Sequence, residues 1–122
     1  MPQYRLSAAA RCDIIDILGW TQERFGEAAR RRYEALIIAA LRTILANSED
    51  PNAPLRPELG DGVRSWHLRH SREQARGIAG IVRRPGHFLL FRTQPSGLVE
   101  VGRVLHDAME VERHRPTPQD WE

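Results

Sequence analysis

Leu98 to His114 reads LVEVGRVLHDAMEVERH, and the fold turns on how this stretch is divided. Leu98 to Leu105 is rich in Val and Leu and reads as a strand. It reaches His106 and Asp107 and closes on a short charged amphipathic tail, with a helix expected over Ala108 to Arg113 and Asp107 as its cap. A strand ending in a histidine, an acid and a methionine finishes the core of a small α+β domain and presents polar groups together. Gly102 sits in mid-strand, where a bulge would flip the phase of the residues that follow.

Working back from this strand, Pro95-Ser96-Gly97 is a turn, and His87 to Arg92 (HFLLFR) is a buried strand. Val63 to His70 alternates, with Trp66 and Leu68 on one side and Ser65, His67 and Arg69 on the other. Three strands linked by turns make an antiparallel meander. The connection Ser71 to Gly86 is polar and carries Gly77, Gly80 and an Arg83-Arg84-Pro85-Gly86 turn. Asn47 to Gly62 holds three prolines and two glycines and is a loop.

The helices come first. Tyr4-Arg5-Leu6 is a short extended segment, and Ser7 is placed to cap a helix with the stripe Ile14, Ile17, Leu18, Thr21 and Phe25. Gly26 ends it, and Glu27 begins a second helix whose stripe is Ala29, Tyr33, Leu36, Ile37, Ala40, Leu41 and Ile44. A turn this short makes the two an antiparallel hairpin. The expected fold is α+β: an N-terminal helical hairpin on one face of a small antiparallel sheet, with a short C-terminal helix. The other sheet face is expected to stay open, with Arg and His residues crowding toward it. One domain spans residues 1–122, with its core at about 3–114 and a flexible tail at 115–122.

The chain has 122 residues and a net charge of +2, and its 18 basic residues are all Arg. Between Val63 and Arg92, seven arginines face one acid, Glu73. That positive patch suits nucleic acid or an acidic protein. The single cysteine, Cys12, excludes a disulfide framework and a cysteine-based metal site. The histidines lack zinc-like spacing and no Gly-rich phosphate loop is present, so no metal or cofactor is expected. No signal peptide is evident, and the apolar run Ala35 to Leu41 is far below the ~18 residues of a membrane span. A cytoplasmic location is expected.

GRVLHDAMEVERH closely resembles the closing motif of the RelE/ParE superfamily of bacterial type II toxins, above all its ParE branch. YRLSAAARCDIIDI and FGEAARRRYEAL resemble the same family, so the likeness covers roughly residues 3–114. It implies a toxin held silent by a cognate antitoxin, ParD-like or similar, whose partly disordered C-terminal segment folds onto the helical hairpin. Leu36, Ile38 and Leu45 are the expected contacts for it. Operator DNA would be bound only through the antitoxin. The ParE branch implies DNA gyrase as target and a binding surface in place of a catalytic set. The residues expected there are Arg64, Arg69, Arg83, Arg84, Arg103 and His106.

The RelE branch implies the alternative, a ribosome-dependent messenger RNA endoribonuclease. Cleavage needs a proton acceptor for the 2′-hydroxyl and cations for the phosphorane. Arginine serves the second role and not the first, because it stays protonated. Lys is absent, which leaves His67, His70, His87 and His106 as candidate proton carriers, though nothing in their spacing pairs any two. A degenerate member acting only in antitoxin-linked regulation is the third possibility. Ser71 to Gly86 is longer than the corresponding connection in the commoner ParE toxins, a departure that bears on the target.

Overall fold

The computed structural model describes residues 3–109 and 111–121. β1 (Tyr4–Leu6) leads into helix α1 (Ala8–Phe25), then α2 (Glu27–Ala46), β2 (Arg64–His67), β3 (His87–Thr93), β4 (Val99–His106) and a short α3 (Val111–His114). Ser7 caps α1 as its sequence suggests: its hydroxyl oxygen accepts from the Ala10 amide at 2.9 Å. That hydroxyl also donates to the Gly102 carbonyl at 2.7 Å, so the helix start is tied to β4. Gly26 ends α1 and opens α2 at φ 93°, a value that only glycine adopts without cost.

The buried residues of α2 are Ala29, Tyr33, Leu36, Ile37, Ala40, Leu41 and Ile44, the stripe read from the sequence. They pack with Leu18 of α1 against Trp66, Leu89, Phe91, Val99, Val101 and Val104 of the sheet. Burying a side chain such as Leu36 or Ile44 contributes about 2–3 kcal/mol each. Phe25, expected on the α1 stripe, is instead 67% exposed.

The sheet has four strands in the order β1-β4-β3-β2. β2, β3 and β4 form the expected antiparallel meander, whereas β1 runs parallel to β4, so the sheet is mixed. Leu90 pairs with Arg103 and Phe91 with Val101, which leaves Gly102 as the extra residue of a bulge. The bulge lets Val99, Val101 and then Val104 all face the helices.

The second face of the sheet is not open. Phe88, Leu90 and Leu105 meet Leu59, Val63 and Trp121 there in a smaller apolar cluster. Within the segment expected to be a flexible tail, Pro116 and Trp121 are buried. Both lie where Gly102 leaves room, since a Cβ at that position would fall 2.8 Å from an atom of each. Glu100, fully buried, sits between its cross-strand neighbours Arg5 and Arg92 and forms ion pairs with both. Burial pushes its carboxyl up, but hydrogen bonds from Arg5, Gln94 and Arg92 outweigh this and hold it below its ordinary value. The two guanidinium groups also reach the tail's carbonyls, Arg5 to Asp120 at 3.2 Å and Arg92 to Trp121 at 3.0 Å. Arg92 lies 4.7 Å from the Trp121 ring centre as well.

Asp107 does not cap a helix. Residues 107–109 form a turn, Glu110 lies outside the described residues, and α3 begins only at Val111. The Asp107 carboxylate is instead bound by His67.

Candidate binding groove

Ser71 to Gly86, polar and glycine-bearing in sequence, is folded back and pinned as a wall. Arg72 donates to the Val82 carbonyl at 3.2 Å, Arg32 of α2 to the Ala79 carbonyl at 3.1 Å, and the Trp66 indole to Ser71 at 2.9 Å. Between this wall and the outer side of the α1–α2 hairpin lies an open groove of about 1170 Å³. Its apolar lining includes Ile17, Trp20, Phe25, Ile81 and Val82, and its polar rim includes Arg32, Arg83 and Arg84. Asp16 is its single lining acid. Trp20 and Phe25 are 51% and 67% exposed and meet edge-on, with ring centres 5.7 Å apart. Exposed aromatics side by side on a groove wall are unusual for a surface with nothing to bind.

Three groups that the sequence left unconnected meet at the groove's sheet end. β3 and β4 pair His87 with His106, and their rings stand edge to face, 5.0 Å between centres. The Tyr33 hydroxyl of α2 accepts the Gly86 amide at 3.2 Å and is hydrogen-bonded to His87 Nδ1, the one nitrogen within reach to take the phenol proton, so we assign Tyr33 as the donor and Nδ1 as the acceptor. Burial pushes the Tyr33 phenol up to about 12, so it stays a donor. Burial, and then the nearby His106, pull His87 down to about 4, so it stays neutral.

The imidazoles share one wiring. His106 Nδ1 accepts from the Ala108 amide at 3.0 Å, and His67 Nδ1 accepts from the Arg69 amide at 3.0 Å. His87 Nδ1 accepts from Tyr33. Each ring therefore carries its neutral-form proton on Nε2. His67 spends that proton on Asp107, whose oxygens lie 2.9 and 3.0 Å away. These three histidines are presented as hydrogen-bond donors. The remaining candidate, His70, packs at a tilt against Trp66 with ring centres 5.3 Å apart and is not part of the groove. Burial, with the Arg69 charge second, lowers its pKa.

The residues expected on a target surface divide into three groups. Arg83, Arg84 and His106 share the groove, and the two guanidinium groups make no ion pair among the described residues. Arg69 is exposed outside it. Arg64 and Arg103 are engaged internally: Arg64 donates to the Ala53 carbonyl at 2.8 Å, and Arg103 holds Asp13 of α1 by two bonds. Among the expected antitoxin contacts, Leu36 is fully buried and is corrected to a core residue. Ile38 is 44% exposed and Leu45 half-buried, and neither lines the groove. Sequence reasoning missed Trp20, Tyr33 as a site residue, and the wall Ile81-Val82. The available signal was Trp20 itself, a large aromatic off the apolar stripe of its helix.

A helical hairpin on a mixed sheet, with an apolar groove rimmed by arginines, is an α+β architecture of the RelE/ParE kind. The family model described as ParE toxin of type II toxin-antitoxin system, parDE, matches residues 4–111, and the chain belongs to that family. Its role is that of the toxin component, and a cognate antitoxin comes with membership. No individual curated protein matches the chain. No helix among the described residues is long and apolar enough to cross a membrane.

Proposed function

We infer that this toxin acts by binding, with cytoplasmic DNA gyrase as its target, and that its antitoxin silences it by laying a segment in the groove. The groove carries the antitoxin part of this reading: an apolar floor with exposed Trp20 and Phe25, and a rim bearing Arg83 and Arg84 with Asp16 as its lone acid. An amphipathic, acidic segment that folds on binding fits such a surface, because apolar burial offsets its ordering entropy and acids answer the rim. Operator DNA is then reached only through the antitoxin. The wiring of His67, His87 and His106 supports binding over RNA cleavage, since a ring with Nδ1 occupied and Nε2 protonated has no free nitrogen for a 2′-hydroxyl proton.

The test is capture of the antitoxin encoded beside the toxin gene. A Trp20→Glu, Phe25→Glu variant changes two exposed side chains and should fold. It is expected to lose antitoxin capture at concentrations where the wild type is saturated. Capture equal to wild type would place the antitoxin elsewhere.

A further inference from the structure

The Nε2–H of His106 has a use that the antitoxin reading alone does not specify. His106 is exposed, lines the groove, and has its Nδ1 closed by the Ala108 amide. Its Nε2 edge lies beside Gly86, where a Cβ would come within 3.2 Å of that nitrogen. The adjoining carboxylate, Asp107, is committed to His67 and does not answer His106. The facing ring, His87, is kept neutral by burial and then by the nearby His106, so an anion held at His106 meets no charge from it. Arg83 and Arg84 line the same groove with no ion pair among the described residues, while Arg32 is turned to the Ala79 carbonyl. Asp16 is the one carboxylate in the lining.

We propose that His106, Arg83 and Arg84 form a carboxylate-binding site at the sheet end of the groove, taking an Asp or Glu side chain of the bound antitoxin segment. This rests on the groove being the antitoxin's seat. The apolar floor would hold the segment and the donor cluster would fix its register, because a carboxylate needs donors in place while an apolar face can slide. Tyr33 and His87 act on the ligand only through His106 and are positioning residues.

The experiment measures affinity by calorimetry for the full-length toxin and a synthetic peptide of the antitoxin's C-terminal half. A second peptide carries Gln and Asn in place of each Glu and Asp. His106→Ala is expected to weaken the acidic peptide roughly tenfold or more and to leave the amide peptide within about twofold. His106→Gln, whose side-chain amide keeps an N–H near Nε2, should recover part of the loss. Arg83→Ala with Arg84→Ala should behave as His106→Ala does. Equal losses on both peptides, or none on either, would overturn the carboxylate site while leaving the groove as the antitoxin's seat. Failure of both peptides to bind the wild-type toxin would overturn the groove reading and this site with it.

Discussion

Arg103 and Asp13 close a two-pronged ion pair between β4 and α1, with Nε and Nη2 of the arginine at 2.8 and 3.0 Å from the two carboxylate oxygens. Asp13 also accepts the Val104 amide at 2.9 Å, and Arg103 donates to the His114 carbonyl at 3.1 Å. The pair thus joins the first helix, the last strand and the segment after it. The side chains are only 21% and 15% exposed, so solvent screens them weakly.

Arg103→Ala should therefore act through stability. It leaves Asp13 with one partner in a half-buried site and is expected to cost about 2–3 kcal/mol. Urea unfolding checks this directly. Any loss of toxicity should scale with the folded fraction, and Arg103→Lys, which restores one prong, should recover part of it. Full stability with lost toxicity would return Arg103 to the target surface.

Two groups should lower stability in overlapping stages as pH drops, His87 first and Glu100 after it. The His87 ring titrates near 6.5 in the unfolded chain and near 4 in the folded one. The unfolded state therefore binds more protons between these values, and stability is lost as pH falls from 6.5 to 4. The loss is at most roughly 3 kcal/mol. Glu100 is depressed below 4.5, so its contribution is full above that value and is lost only as pH falls through its lower folded pKa. In chemical-denaturation series across pH, His87→Asn keeps an acceptor for Tyr33 and should flatten the first stage alone.

Gly102→Ala is a packing test of the tail. The new methyl would lie 2.8 Å from Pro116 and Trp121 atoms, too close to be absorbed without movement. A cost of about 1–3 kcal/mol is expected. Limited proteolysis should show faster cleavage within residues 115–122, because the clasp of Arg5, Arg92 and Glu100 can no longer seat Trp121. Unchanged protection would mean that the tail's packing does not depend on the bulge.

The histidine wiring has its own signature. In nitrogen-correlated NMR near pH 8, His67, His87 and His106 should all show protonated Nε2 and unprotonated Nδ1. A dominant Nδ1–H form at His106 would remove the donor that the groove's sheet end requires.

What could be read from the chain follows from how local each signal is. The α2 stripe, the Ser7 cap and the Gly26 break depend on period and on single-residue chemistry, and they match the structure. The open second face did not survive, because Trp121 covers it through contacts with residues far away in sequence. The same holds for the groove. Arg83 and Arg84 stood out as cations at a turn, but the pairing of His87 with His106 follows from strand register, and the Tyr33 hydroxyl joins them from another element. Leu36 was offered both to the core and to a partner, and its place on the stripe should have decided for the core. Arg103 read as a surface cation because nothing in the order of residues announces Asp13, on a different element, as its partner.

The most direct test of the central claim uses toxin released from its antitoxin and added to purified gyrase with plasmid DNA. A matched arm carries messenger RNA on ribosomes. Trapped, gyrase-cleaved plasmid or blocked supercoiling, with intact RNA, is the expected result. Ribosome-dependent RNA cleavage with gyrase unaffected would contradict the account and return the histidines to a catalytic role.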